Sequence, residues 1–175
     1  EMIINLLNEL SGARLTFNYM RVGGVKWDAP DGWIEKVREF IPYMREQLKG
    51  YHDLVTGNEI FMKRIIGVGT YTKEEALNYS LSGANLRCTG VKYDLRKNAP
   101  YSIYDRFDFD VPTRKEGDAW SRYHIRLEEI EESLKIIEQA VEQFPSSGAI
   151  MAKVPKIIKA PPGEAFVRIE SPRGE

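Results

Sequence analysis

At 175 residues and 20.1 kDa the chain has the size of one domain. With 42% hydrophobic and 29% charged residues it can bury a core and is too apolar for a disordered segment. A net charge of −1 argues against a polyanion as main partner, no apolar run approaches the roughly 20 residues of a membrane helix, and one cysteine, Cys88, excludes a disulfide framework or any all-cysteine metal or iron–sulfur site in this segment.

The chain opens on Glu1 and passes at once into Met2, Ile3, Leu6, Leu7 and Leu10, a helical spacing that predicts a helix ending between Ser11 and Leu15. Gly23-Gly24 forces a turn. After Pro30-Asp31-Gly32, with Asp31 the expected cap, Trp33, Ile34, Val37, Phe40, Ile41, Met44 and Leu48 predict an amphipathic helix. Pro42 inside it predicts a kink or break. Asn58 is placed to cap a short helix carrying Ile60, Phe61 and Ile65, and Thr72-Lys73-Glu74-Glu75 is a capping box opening another.

From Cys88 to Pro112 the chain reads as irregular, with one short strand expected at Phe107–Val111. Tyr123, Leu127, Ile130, Leu134, Ile137, Val141 and Phe144 then form a heptad-like seam. Trp120, Ile125, Ile136 and Ala140 widen the stripe beyond a free coiled coil and favour a helix packed in a bundle. The acidic residues between Gly117 and Phe144 are expected on the faces this seam leaves exposed. Ala149 to Pro162 reads as a linker or extended loop, and Ala165–Ile169 as a strand entering a turn. Both ends have the character of positions inside a longer chain, so a fragment is expected, with residues 1–148 a helical core segment and 149–175 a linker and the start of a β-hairpin.

The residues offer little chemistry of their own. Asp105, Asp108 and Asp110 lack the glycine and distal glutamate of a calcium loop. His124 and Glu128 stand one helical turn apart, and two ligands do not make a metal site. Cys88 has no CxxC partner and reads as a buried, inert thiol. Arg14, Arg21, Arg87 and Arg96 sit beside glycine or apolar residues in turn-rich segments. Arginines so placed pair with carboxylates such as Asp94 or Asp105, or face a neighbouring protein in an assembly.

Several ordered blocks carry a resemblance. They are Ser11-Gly12-Ala13-Arg14 with Asn18-Tyr19-Met20-Arg21-Val22-Gly23-Gly24-Val25; Glu74 to Tyr79 with Ser82-Gly83; Leu86-Arg87-Cys88-Thr89-Gly90-Val91 with Asp94-Leu95-Arg96-Lys97; Pro100-Tyr101 through Asp108-Phe109-Asp110-Val111-Pro112; Gly117-Asp118 with Arg122-Tyr123; and Pro161-Pro162-Gly163-Glu164 leading to Ile169-Glu170-Ser171-Pro172-Arg173-Gly174-Glu175. Together they resemble the 49 kDa family of respiratory complex I, which is related to the large subunits of nickel–iron hydrogenases. The resemblance implies a mainly α fold, the helical core of a hydrogenase-large-subunit-like protein with a few peripheral strands. It also implies a place in NADH:quinone oxidoreductase, beside the protein that carries the terminal iron–sulfur cluster, where quinone reduction is coupled to proton translocation. NADH, quinone and iron–sulfur clusters then belong to the assembled complex, with none bound by this segment. The implied partners are the other complex I subunits and quinone, with no nucleic acid and no membrane span of the segment's own. The implied location is peripheral to the membrane, on the cytoplasmic side in bacteria or the matrix side of an inner membrane.

The departures are as informative. The hydrogenase CxxC pairs are missing from this segment, and the family's proposed quinone-headgroup ligands precede Glu1, so no catalytic residue and no metal ligand is assigned here. Many members carry a histidine near the cluster where this chain has Thr16. By the resemblance Thr16 and Arg21 are the cluster-proximal residues, and a threonine there removes a group that titrates near neutral pH. The corresponding large subunit of a membrane-bound hydrogenase or another quinone-linked dehydrogenase, and a purely structural interaction fragment, are the competing readings.

Overall fold

The computed structural model describes residues 1–155 and 157–175. The chain is mainly helical, with one two-stranded sheet among the described residues. It divides into two compact units, one formed by residues 1–43 and 140–165, the other by residues 44–139 and 166–175.

In the first unit, helix α1 (Met2–Ser11) stops where Gly12 takes a left-handed conformation, φ 75°, and its N–H closes on the Asn8 carbonyl. Strands β1 (Met20–Arg21) and β2 (Gly24–Val25) make the antiparallel hairpin that the paired glycines demand. The segment expected as a linker adds to it: Val25 N–H donates to the Ile150 carbonyl (3.0 Å) and Ala152 N–H to the Gly23 carbonyl (2.9 Å). Helix α2 (Trp33–Tyr51), which belongs to the first unit up to Tyr43 and to the second from Met44, begins after Asp31, and the Gly32 carbonyl accepts the first helical bond from Lys36 N–H. The two indole N–H groups fasten α1, Trp27 to the Leu10 carbonyl and Trp33 to the Leu6 carbonyl (2.9 Å).

Of the kink or break expected at Pro42, the break does not occur: α2 is continuous through it. Val37, Phe40, Ile41 and Leu48 remain buried on both sides of the proline, so the apolar stripe holds the helix where propensity alone would end it. The irregularity comes later, as a π-helical turn at His52–Thr56.

In the second unit, helix α3 (Glu59–Ile65) is capped by Asn58, whose side chain accepts from Phe61 N–H. Helix α4 (Lys73–Asn78) opens with both bonds of the Thr72/Glu75 capping box. Short helices α5 (Gly83–Arg87) and α6 (Leu95–Asn98) follow, then a 3₁₀ turn at Tyr104–Arg106. The long helix α7 (Ala119–Glu142) takes its start from Asp118, whose carboxylate accepts Ser121 N–H (2.8 Å) and Gly67 N–H (2.7 Å).

Around α7 one expectation fails and another holds only in part. Phe107, Phe109 and Val111 are buried and Asp108 and Asp110 exposed, the alternation of a strand, yet no strand forms. Its edge bonds go to helix side chains instead: Asp108 N–H donates to Gln139 Oε1 (2.8 Å), Gln139 Nε2 returns to the Asp108 carbonyl (2.7 Å), and Asp110 N–H meets Glu132 Oε2 (2.7 Å). The acidic residues of α7 are only in part on a solvated face: Glu142 is exposed, whereas Glu129 and Glu132 are largely covered. Glu131 and Glu138 receive Arg45 (3.0 and 2.9 Å), Glu128 receives Arg114 and Glu129 receives Arg87. Of the apolar positions, the flank residue Ile125 is fully buried whereas seam residue Ile130 is half-buried, and Phe144 lies beyond the helix end.

Ala165–Ile169 forms no strand, and its Phe166 and Val167 are 85% and 80% exposed.

Candidate functional site

The sequence-predicted arginines separate into two kinds. Arg14 and Arg21, in the first unit, are exposed. Arg14 reaches Glu1 (3.6 Å) and the Asn5 side chain (3.1 Å), and Arg21 donates to Asn18 Oδ1 (2.7 Å). Thr16, also exposed, turns the chain ahead of the hairpin by accepting Asn18 N–H at its carbonyl (2.8 Å). Leu15, Met20 and Val22 are exposed in the same loop and hairpin, at 86%, 82% and 68%. That is an unusual density of apolar side chains for a surface turn. A 790 Å³ cavity in this unit is lined by Leu10, Tyr19, Trp33 and Ile150 among others, and neither Thr16 nor Arg21 reaches it.

Arg87 and Arg96, in the second unit, are buried among carboxylates. The Arg87 side chain is 3% exposed. Its Nε donates to Glu129 Oε1 (2.8 Å), and its Nη1 donates to the Tyr93 carbonyl (2.9 Å) and to Glu170 Oε1 (3.2 Å), with Asp94 Oδ2 at 3.8 Å. Arg96 grips Asp94 with both arms of its fork, at 3.0 and 2.7 Å. Burial alone would push the Asp94 carboxyl up. The hydrogen bonds and charge of Arg96, then the charge of Arg87, more than reverse this and hold it below the usual carboxylate range. Glu129 goes the other way, because its burial outweighs the attraction of Arg87 and its carboxyl rises above the usual range.

Asp94 is a partner the spacing pointed to. Asp105 is exposed and takes no part in the cluster. Sequence reasoning missed Glu129 and Glu170. Glu129 lies between seam positions Leu127 and Ile130, on a helix whose acidic residues carry the pattern of a solvated face, and Glu170 follows a stretch that reads as a strand entering a turn, with nothing to pair it to Arg87. The one available hint is that Glu170 belongs to the Ile169–Glu175 block.

The remaining candidates are structural. Cys88 is buried at 0% beside Ala84 and Ile125, with its thiol 3.4 Å from the Tyr71 hydroxyl. Burial first, and Cys88 second, push Tyr71 up to about 12, so it stays a donor to the Asn85 carbonyl (2.8 Å). His124 lies edge-on to Trp120 and is held below the usual histidine range by burial, then by the charge of Arg114. Its helical neighbour Glu128 is taken by Arg114. Among the described residues no three His, Cys, Asp or Glu side chains converge as a metal site, and no helix is long and apolar enough to cross a membrane.

The geometry offers a buried ion cluster, one buried thiol and an exposed apolar hairpin. The family model for the 49 Kd subunit of respiratory-chain NADH dehydrogenase matches residues 1–160, and the chain belongs to that family. Its relatives include NADH-quinone oxidoreductase subunits of the same kind from Bacillus mycoides (81% identical), Bacillus anthracis (80%) and Bacillus cytotoxicus (78%), each aligned over all 175 residues. The chain spans 48% of the length of each. Among solved structures it resembles a chain of the membrane-bound sulfane sulfur reductase, an archaeal respiratory membrane complex. That match is 41% identical with a TM-score of 0.83, covering 87% of this chain and 41% of the other.

Proposed function

We propose that this chain is part of the 49 kDa subunit of an NADH:quinone oxidoreductase, contributing a wall beside the terminal iron–sulfur cluster and the quinone site. There the complex couples electron transfer from NADH to quinone with proton translocation. The carrying observation is identity of 78–81% across the whole chain to NADH-quinone oxidoreductase proteins. Kinship with the sulfane sulfur reductase, at 41%, favours the alternative of another respiratory complex less strongly.

One cysteine, fully buried, does not fit the ligand set of an iron–sulfur cluster, so this segment does not itself hold one. The contribution of this chain is then electrostatic and steric. The exposed loop and hairpin with Leu15, Met20 and Val22 are suited to being covered by a partner; Thr16 in that loop and Arg21 on the hairpin are the residues that the resemblance makes cluster-proximal. A guanidinium near the cluster stabilises the added electron and raises the potential. A unit charge roughly 10–15 Å away at an effective dielectric constant of about 20 is worth on the order of 1–2 kcal/mol, or tens of millivolts.

Redox titration of the assembled enzyme tests this. Arg21→Ala should lower the potential of the neighbouring cluster by that order, and an unmoved potential would overturn the placement of Arg21. The same titration repeated across pH should show little slope, because Thr16 has no titratable group. A steep slope would refute the role given to Thr16.

A further inference from the structure

The ion cluster of the second unit contains three carboxylates, Asp94, Glu129 and Glu170, and two guanidiniums, Arg87 and Arg96. With all five ionised it holds one surplus negative charge. Asp94 has both oxygens occupied by Arg96, and Glu170 has Oε1 on Arg87 and Oε2 on Leu95 N–H (3.1 Å). Glu129 engages Arg87 through Oε1 alone, so among the described residues its second oxygen has no protein donor. It also lines a 400 Å³ cavity with Arg87, Arg96, Tyr104, Ser133 and Glu170.

We propose that Glu129 is a proton-binding site. Its unengaged oxygen takes one proton from water in the cavity, forming an O–H bond that brings the cluster to neutrality, and returns the proton by the same route. Every element around the cluster bears on this balance. Arg87 on α5 attracts the carboxylate, Arg96 on α6 adds a more distant positive charge, and Asp94 at the start of α6 opposes them. The Tyr93 carbonyl and Glu170 compete for Arg87, and the Tyr104 side chain stands on the cavity wall. On α7 itself, Ser133 donates to the Glu129 backbone carbonyl (2.7 Å) and leaves the carboxyl free. Arg126, the third guanidinium on the wall, is exposed and donates to the Arg122 carbonyl (3.2 Å), one turn back along the helix. Its guanidinium pairs with none of Asp94, Glu129 and Glu170, so it stands outside the cluster's charge balance. The raised proton affinity of Glu129 agrees with this geometry.

The test is a pH titration of the full chain, labelled with ¹³C at its glutamate carboxyls and followed by NMR. Glu129 should titrate above the ordinary glutamate range. The late signal should vanish in Glu129→Gln and move to lower pH in Glu170→Gln, which removes the surplus charge and frees Arg87. Titration of Glu129 within the ordinary glutamate range would overturn the proposal. So would an unmoved midpoint in Glu170→Gln, since burial alone would then explain it. If Glu129→Gln does not fold, through-bond correlation to the backbone assigns the same signal in the unsubstituted chain. No quinone or electron donor is present, so the outcome is independent of the electron-transfer reading.

Discussion

Arg87→Met should cost about 3–5 kcal/mol of folding stability, the range for removing one partner from a buried ion cluster. Methionine retains most of the apolar stem, so the loss is mainly electrostatic. It strips the guanidinium from Glu129 and Glu170, whose side chains are 17% and 5% exposed, and removes a second cation from Asp94. Total stabilities of about 5–15 kcal/mol are usual, so such a loss brings the chain close to unfolding in water. Arg87→Lys should recover little, because one ammonium cannot span Glu129, Glu170 and the Tyr93 carbonyl in the directions the planar fork does.

The pH dependence separates this from a packing defect. In the unsubstituted chain the lowered Asp94 contributes stability that is present above its unfolded value and is lost as pH falls through its folded one. The raised Glu129 contributes in the opposite sense: its share is present below its unfolded value and is lost as pH rises through its folded one. Without Arg87 the Asp94 and Glu129 carboxyls lose a cation that favours their charged forms and bind protons more tightly in the folded state. The deficit of the variant should therefore shrink as pH falls towards the carboxylate range. Urea unfolding of both proteins at neutral and mildly acid pH measures it. A deficit that does not change with pH would mean that lost packing, not uncompensated charge, carries the effect.

Local signals in the sequence proved dependable where the chain makes its own contacts. Asn58 and the Thr72/Glu75 box bond within one turn, and the hairpin follows from two adjacent glycines. What was hidden depends on distant partners. Phe107–Val111 has the alternation of a strand, and nothing local says that Gln139 and Glu132 on a helix will serve as its edge. Pro42 is tolerated because the helix stays buried past it. The candidate site divides in the same way. Arg96 and Asp94 are two residues apart and legible as a pair, whereas Arg87 meets Glu129 and Glu170 across 42 and 83 positions. A carboxylate on a helix looks solvated until the segment that covers it is known. Thr16 and Arg21 stand apart from both cavities, and their reading rests on family resemblance.

Gly83→Ala should be nearly as damaging as loss of Arg87, through backbone contact. Gly83 opens α5 at φ 62°, and a Cβ there would stand 2.6 Å from the Arg173 carbonyl carbon and oxygen and from Gly174 N. The approach is reciprocal, since a Cβ on Gly174 would meet Gly83 N and the Ser82 carbonyl carbon at 2.8 Å. The left-handed conformation costs a non-glycine residue about 1–2 kcal/mol, and forcing backbone apart adds about 1–3 kcal/mol. A total of about 2–5 kcal/mol is expected. Gly67→Ala supplies the control, because Gly67 has a similar φ of 70° with nothing within 4 Å of its would-be Cβ. It should show the conformational cost alone. The collision also has a chemical consequence. The turn it displaces, Ser171 to Gly174, directly follows Glu170, whose own N–H is fixed by the Tyr101 hydroxyl (3.1 Å). If that turn retreats, Glu170 leaves Arg87, and the two substitutions act on one network. The costs of Gly83→Ala and Glu170→Gln should then be less than additive in a double-mutant cycle. Full additivity would show that α5 tolerates the collision without disturbing the ion cluster.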